Sequence, residues 1–326
     1  MTEIFSRHFA LRTLSLVAMT GMLISCTSSS HQLPHGTATS PSSGDAAPTG
    51  IVTLRQAAKI LDRYQRVNNA ANAARDASLL ATVEAGQLYA ESKAELEQYY
   101  TFSKKRKKEY RAPFFFTKRT FYIPARGNWF AASANSGKYR TLMVFERFGS
   151  RWKKVVDLLP DRRLPLPHIK DGLALTAPTD EPSGALSPDR VPGAIEDLFT
   201  TGGKKEGTNL SVTPDSKAIV KTYQERNSEL GDQARVNFFP ATPRHQTVYA
   251  LRTGTGVLAI VPLAHKQVSV VKHAGLQLTP TEAESAYASR PRPQIVSEFQ
   301  GNALVNFPAH SRPEILNYEY GLVDSR

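Results

Sequence analysis

The sequence predicts an α+β fold in which helices pack on antiparallel sheets. Three observations predict it. An apolar face with helical spacing runs from Val52 to Ala74, and aromatic and β-branched segments separated by turns fill Phe114 to Leu159. The same order, helical pattern and then strand pattern, returns after residue 193. Helices first and hairpins second argue for segregated layers rather than for alternating βαβ units.

The chain opens with an export pattern. Arg7, His8 and Arg12 precede an apolar stretch, Leu14 to Ile24. Eleven helical residues span about 16 Å, short of the roughly 30 Å of a hydrocarbon core, so the stretch reads as a cleaved signal over 1–25 and not as a span. Leu23-Ile24-Ser25-Cys26 resembles a bacterial lipobox, and Cys26 is the only cysteine of the chain. The resemblance implies that the Cys26 thiol receives a diacylglyceryl group and becomes the new N-terminus. An ordinary secretory signal is the alternative. A lipidated Cys26 places the protein outside the cytoplasm and anchors it to the cell membrane, and it leaves the folded part without disulfides or zinc-thiolate sites. Residues 26–50 are mostly Ser, Thr, Pro, Gly and Ala and read as a disordered tether. Such a tether reaches roughly 25–30 Å on average, at about 5–6 Å times the square root of its length.

The chain carries 41 Lys and Arg against 29 Asp and Glu, a formal charge of +12. Outside the cytosol this balance favours lipid headgroups, wall polymers or acidic ligands, and no nucleic acid is expected. About 275 residues follow the tether, enough for two cores.

The first domain is expected over 51–160. Thr53 and Gln56 form a capping-box pattern, and Leu54, Ala57, Leu61, Tyr64, Val67 and Ala71 share one helix face. Asp76 caps a second short helix, and a third runs from about Gly86 to Tyr100. Strands follow at Phe114–Phe116, Phe121–Ile123, Asn128–Ala134, Tyr139–Phe148 and Val155–Leu159, with turns at Asn135-Ser136-Gly137 and Gly149-Ser150. Residues 161–193 are proline-rich and read as a connection, with Leu173-Ala174-Leu175 as a candidate strand inside it, and 194–326 reads as a second α+β domain. There, a helix from Ala194 to Thr200 and another from Asp215, as its cap, to about Leu230 precede strands near Ala234–Phe239, Gln246–Arg252, Gly256–Pro262, Gln267–Lys272, Gln294–Phe299 and Leu304–Phe307. Ile60 to Asn68 aligns with Ile219 to Asn227 as a faint repeat, which either duplication or chance explains.

The helix-then-hairpin order, with Phe145-Glu146-Arg147-Phe148-Gly149-Ser150-Arg151-Trp152-Lys153 as its last hairpin, resembles the nuclear-transport-factor-2-like superfamily. That resemblance implies strongly curved sheets and two cone-shaped modules, a shape that hosts both enzymes and non-catalytic domains. The chain after residue 50 also resembles a group of actinobacterial exported lipoproteins of unknown function. The likeness rests on Tyr64 to Ala74, Leu79 to Gly86, Phe121-Tyr122-Ile123-Pro124, and Glu196-Asp197-Leu198 before Thr201-Gly202-Gly203.

Chemistry is sparse. The stretch from Gly36 to Pro167 has no histidine, and Glu146 and Asp157 are the acids on its predicted strands. A cross-strand ion pair of Glu146 with Lys153 or Lys154 is preferred over a catalytic carboxylate. His265 and His273 lie eight apart around one predicted strand and lack further ligand spacing, so no metal and no cofactor is called for. Ser150 and Lys153 have a serine–lysine spacing but straddle a hairpin, so they do not form a catalytic pair. Trp129 and Trp152 read as core. The strongest remaining feature is basic: Lys104, Lys105, Arg106, Lys107, Lys108 and Arg111, flanked by Tyr99, Tyr100, Phe102, Tyr110 and Phe114 to Phe116. It reads either as a contact for anionic lipid or wall polymer or as a solvated loop joining helix to sheet. The function favoured is a lipid-anchored, non-catalytic binding or interaction module at the cell envelope, its partner an anionic polymer, a protein or a small molecule. A hydrolase or isomerase with its site in a cone-shaped cavity is the alternative.

Overall fold

Helix α1, Leu54–Ala74, opens with the expected capping box: the Gln56 amide donates to Thr53 Oγ1 over 3.2 Å, and the Thr53 amide donates to Gln56 Oε1 over 2.7 Å. These bonds satisfy amides that a helix start otherwise leaves bare. The computed structural model describes residues 50–160, 164–182, 185–228 and 230–326. The expected signal peptide, Cys26 and all but the last residue of the tether lie outside the described residues. Asp76 caps α2 (Ala77–Leu80) through the Ser78 and Leu79 amides, and α3 (Gly86–Gln98) tightens into a 3-10 turn at Tyr99–Thr101. The basic run is no loop: it forms α4 (Lys104–Arg111), capped by Ser103. Straight-chain Lys and Arg are good helix formers, and Phe102 and Tyr110 pack on Tyr99 to hold the helix down.

The first sheet is an antiparallel meander, β1 (Phe116–Tyr122), β2 (Trp129–Ser136), β3 (Tyr139–Phe148) and β4 (Arg151–Leu158), in that spatial order. A two-stranded sheet, β5 (Ile169–Lys170) and β6 (Leu173–Ala174), follows within the proline-rich segment. Then come α5 (Val191–Thr200), a 3-10 turn at Glu206–Asn209, and α6 (Pro214–Glu225). The cap of α6 is Thr213, paired with Ser216, instead of Asp215, because Pro214 takes the first helical position where no amide is needed. The helix stops at Glu225, five residues short of the expected Leu230.

The second large sheet has the order β11 (Glu314–Ser325), β10 (Gln294–Pro308), β9 (Gly256–Val271) and β7 (Ala234–Pro240), with β8 (Tyr249–Thr253) beside the start of β9. A short α7, Glu282–Ser285, lies between β9 and β10. Two expected strands on either side of Pro262 prove to be one. Pro262 falls where β9 changes neighbour, after β8 ends at Ile260 and before β7 begins at His265, so its missing amide breaks no ladder on that side. Gln294–Phe299 and Leu304–Phe307 likewise join through Gly301, where a Cβ would stand 1.9 Å from the Glu319 carbonyl oxygen.

Side chains alternate across both sheets. On β3, Met143 and Phe145 join Leu61, Tyr64 and Phe130 under α1, whereas Val144 points the other way, into a cluster shared with Leu251, Leu258, Ile260 and Leu304 of the second sheet. The far face of that second sheet, including Val261, Val305 and Phe307, packs on Ile195 and Phe199 of α5 and Ile219 of α6. The order through the molecule is helices, sheet, sheet, helices. The described residues thus form an α+β fold of seven helices and three antiparallel sheets. Among them no helix is long and apolar enough to cross a membrane.

Candidate functional site

The face of α4 gathers the basic residues singled out from sequence. Lys104, Lys108 and Arg111 stand at i, i+4 and i+7 and are exposed, and Lys105 beside them is 85% exposed. That spacing puts them on one side of the helix. Lys105 pairs with Glu109 at 4.0 Å, the one acid on the helix. Arg106 and Lys107 are turned back towards the protein. The Arg106 guanidinium lies 3.7 Å over the Phe102 ring, and Lys107 Nζ donates to the Tyr100 carbonyl oxygen over 2.8 Å. Arg75 adds a further cation, 5.0 Å over Tyr99. An open groove of about 510 Å³ runs along the helix, lined by Ala73, Tyr99, Lys107, Lys108, Arg111 and Ala112. The arrangement presents several fixed cations beside an aromatic floor, a surface suited to anions.

A second cluster lies where the two large sheets meet. Glu146 stands opposite Lys153 on β4, but no ion pair forms between them. Lys153 Nζ donates to the Ala81 carbonyl oxygen, and Lys154, on the other face of the strand, binds Asp157 at 2.7 Å. Glu146 instead receives Asn128 at 3.0 Å, the His245 Nε2 at 2.7 Å and the Tyr249 hydroxyl. The expected cross-strand pair fails for two reasons: the pleat sends Lys154 to the opposite face, and Lys153, on the same face as Glu146, reaches the Ala81 carbonyl oxygen while Asn128, His245 and Tyr249 take the carboxylate. His245 is seated by the start of α3: Gln87 donates to its carbonyl oxygen over 2.7 Å, and a Cβ on Gly86 would come within 2.6 Å of the His245 Cβ. Trp129 meets Tyr249 edge to face at 5.1 Å.

The electrostatics follow from these contacts. Burial alone would raise the Glu146 carboxyl, but hydrogen bonds from His245 and Tyr249, the charge of His245 and the Asn128 amide together hold it below its ordinary value. Burial and the neighbouring Glu146 charge push the Tyr249 phenol far up, so it stays a donor. The cluster can orient an imidazole on a carboxylate, the arrangement that acid–base chemistry uses. Sequence reasoning missed it because the histidine that the first half lacks comes from the second half, and no local pattern links the two.

The remaining candidates separate. His265 is buried on β9 between the stacked rings of Phe199 and Phe299, at 4.6 and 4.9 Å, whereas His273 is exposed beyond the end of the strand. They share no site, and among the described residues no three His, Cys, Asp or Glu come together as a metal cluster. Trp129 and Trp152 are half-buried packing residues, Trp152 lying 5.3 Å from Phe130. Asp197, of the Glu196-Asp197-Leu198 motif, folds the following loop: it accepts from Thr201 Oγ1 at 2.5 Å and from the Lys205 and Gly207 amides at 2.8 and 3.0 Å. Gly202 and Gly203, both with φ near +77°, make the turn that these bonds require.

A family model described as Domain of unknown function (DUF8094) matches residues 48–326. The chain is similar to an uncharacterized lipoprotein of Streptomyces coelicolor, with 32% identity over 285 residues, 81% of this chain and 79% of that protein. No solved structure matches.

Proposed function

The chain belongs to the DUF8094 family of domains of unknown function, and on that premise we propose that it is a lipid-anchored extracytoplasmic protein acting as a non-catalytic binding module at the cell envelope, with α4 as its contact for an anionic partner. The Streptomyces relative is a lipoprotein by name, and the lipobox-like Leu23-Ile24-Ser25-Cys26 supports the same anchor here. The observation that carries the binding reading is the row of exposed cations, Lys104, Lys108 and Arg111, matched by no acid on their own face of the helix. Replacing Lys104, Lys105, Arg106, Lys107, Lys108 and Arg111 by serine is expected to abolish salt-sensitive binding to anionic vesicles or to purified wall polymer. Unchanged binding removes the proposal.

The halves 51–160 and 194–326, joined by the proline-rich 161–193, are read as two nuclear-transport-factor-2-like modules, on the support of their shared order of helices before antiparallel strands. One observation favours the enzymatic alternative: the contact of His245 with Glu146 supplies the imidazole–carboxylate pair that a hydrolase or isomerase would use. Turnover of ester or sugar substrates, lost in His245→Asn, would establish that alternative.

A further inference from the structure

We infer that the anionic partner of α4 is the bilayer itself, gripped by the helix and by two flanking aromatic rings so that the body of the protein takes one orientation on the membrane. The inference rests on the proposed reading of α4 as an anionic contact and narrows it. A soluble polyanion asks only for charge. The ends of α4 offer more than charge: Tyr100, just before it, is 61% exposed and Phe115, just after it, is 60% exposed. Both rings are fixed in place at the surface by their surroundings. The Tyr100 hydroxyl donates to the Ala286 carbonyl oxygen over 3.0 Å. Phe115 stands between Phe114 and Phe116, which turn inward onto Tyr64 at 6.5 and 6.3 Å, so the backbone leaves Phe115 on the opposite side. Exposed cations bracketed by outward aromatic rings are the composition of a surface that rests at the headgroup boundary.

Charge alone then adds about a fivefold gain in partitioning for each basic residue near an anionic leaflet. Exposed Lys104, Lys105, Lys108 and Arg111 make a patch that would be weak for a free protein. It is sufficient for one already tethered, because the second contact is intramolecular. The covalent geometry permits it. Gly50 and Ile51 lie at the start of α1, where the Ile51 amide donates to Pro124. The α4 side lies at the other end, where Asn69 donates to the Phe114 carbonyl oxygen. Leu54 and Asn69 lie about 23 Å apart along α1, at about 1.5 Å per residue. The chain from Cys26 to Gly50 reaches at most about 80 Å, so a lipid on Cys26 and a docked α4 fit one surface. With α4 on the lipid, the start of α1 and the β5–β6 turn face away from it.

The test uses the full lipidated chain in vesicles of phosphatidylcholine alone or mixed with phosphatidylglycerol. A lipidated Cys26 is blocked, so Phe115→Cys, Lys108→Cys and the distant, exposed Lys170→Cys each take one nitroxide label. In phosphatidylglycerol vesicles the labels at 115 and 108 should shift from collision with a water-soluble nickel complex towards collision with oxygen, and the label at 170 should stay aqueous. The shift should vanish in phosphatidylcholine, in about 0.5 M salt, where screening cuts surface attraction to a few ångströms, and when Lys104, Lys105 and Arg111 are changed to serine in the Phe115→Cys chain. Labels at 115 and 108 that remain aqueous on anionic vesicles overturn the inference. If the same protein still binds soluble linear polyphosphate through α4, the anionic-contact reading survives and only the bilayer is ruled out. If the serine changes affect neither vesicles nor polyphosphate, both fall.

Discussion

His245 Nε2 lies 2.7 Å from the Glu146 carboxylate, although 99 residues separate them. Glu146 sits on β3 of the first sheet, and His245 leads into β8 of the second. Tyr249 closes the figure, its hydroxyl 2.8 Å from the same imidazole nitrogen. The apolar interface between the sheets has no directional preference of its own. A buried carboxylate with three donors aimed at it does, because each donor left unpaired would cost the desolvation of a polar group. The cluster therefore fixes how one sheet is set against the other.

Glu146→Gln should cost about 1–3 kcal/mol of stability at neutral pH. His245→Asn should cost a similar amount, and the double variant less than the sum, with a coupling of about 0.5–3 kcal/mol. The pH dependence has a definite sign. The folded-state carboxyl lies below its ordinary value of 4.5, so the unfolded chain takes up its proton first. The contribution is present above pH 4.5 and is lost as the pH falls through the depressed folded value. Urea unfolding of the wild type should weaken on that limb, and Glu146→Gln should flatten it. Parallel curves for the two proteins would refute the assignment.

His265 predicts the opposite kind of substitution. Its ring is 5% exposed, is caged by Phe199, Phe238, Phe299 and Tyr320, and has no partner for Nδ1. Burial lowers its titration from 6.5 to about 3. The folded protein holds it neutral while the unfolded chain protonates it, so stability is full above pH 6.5 and falls as the pH drops towards 3, by about 1.4 kcal/mol per unit. His265→Phe removes that penalty and keeps a flat ring between its neighbours. The variant should gain on the wild type steadily from pH 6.5 down to 4 in thermal melts. An unchanged difference between pH 7 and pH 5 would count against a buried neutral ring.

What the sequence announced was local. The caps at Thr53 and Asp76 and the turns at Gly137 and Gly149 depend on neighbours two or three residues away, and each is where the pattern puts it. The charge of 104–111 was plain, but its helix was not, because the contacts of Tyr110 with Tyr99 and Phe102 that hold it join residues about eight to eleven apart across a turn. The long strands were harder. Both faces of β9 and β10 are covered, so their apolar runs lack the alternation that marks a half-buried strand, and Pro262 reads as a stop until its neighbours are known. β11 escaped notice for the reverse reason: Asn317, Tyr318, Glu319 and Tyr320 break its apolar pattern, and its pairing with β10 supplies the order. Glu146 was visible as an acid on a strand, but nothing near it in sequence named His245.

Lys154 gives the most severe of the expected losses. Its side chain is fully buried, with Nζ 2.7 Å from Asp157, 3.4 Å from the Tyr64 hydroxyl and 4.4 Å above the Tyr64 ring. Glu84 belongs to the same network, accepting from the Tyr64 hydroxyl at 3.0 Å and from Asn68 at 2.9 Å, and its backbone bridges to Lys154 itself. One cation thus pairs with Asp157 and, through the Tyr64 hydroxyl, shares a network with the Glu84 carboxylate, tying α1 to the edge strand β4. Lys154→Met fits the stem but leaves Asp157 without its cation; breaking a fully buried pair costs about 3–5 kcal/mol, and the partly exposed Asp157 puts the expected loss at the lower end of that range. Adding Glu84→Gln and Asp157→Asn should return much of that loss, because the penalty comes from uncompensated charge and not from lost volume. Equilibrium unfolding of the single and triple variants decides it: a single variant within about 1 kcal/mol of wild type, or a triple variant no better than the single, would mean that the charges are not coupled.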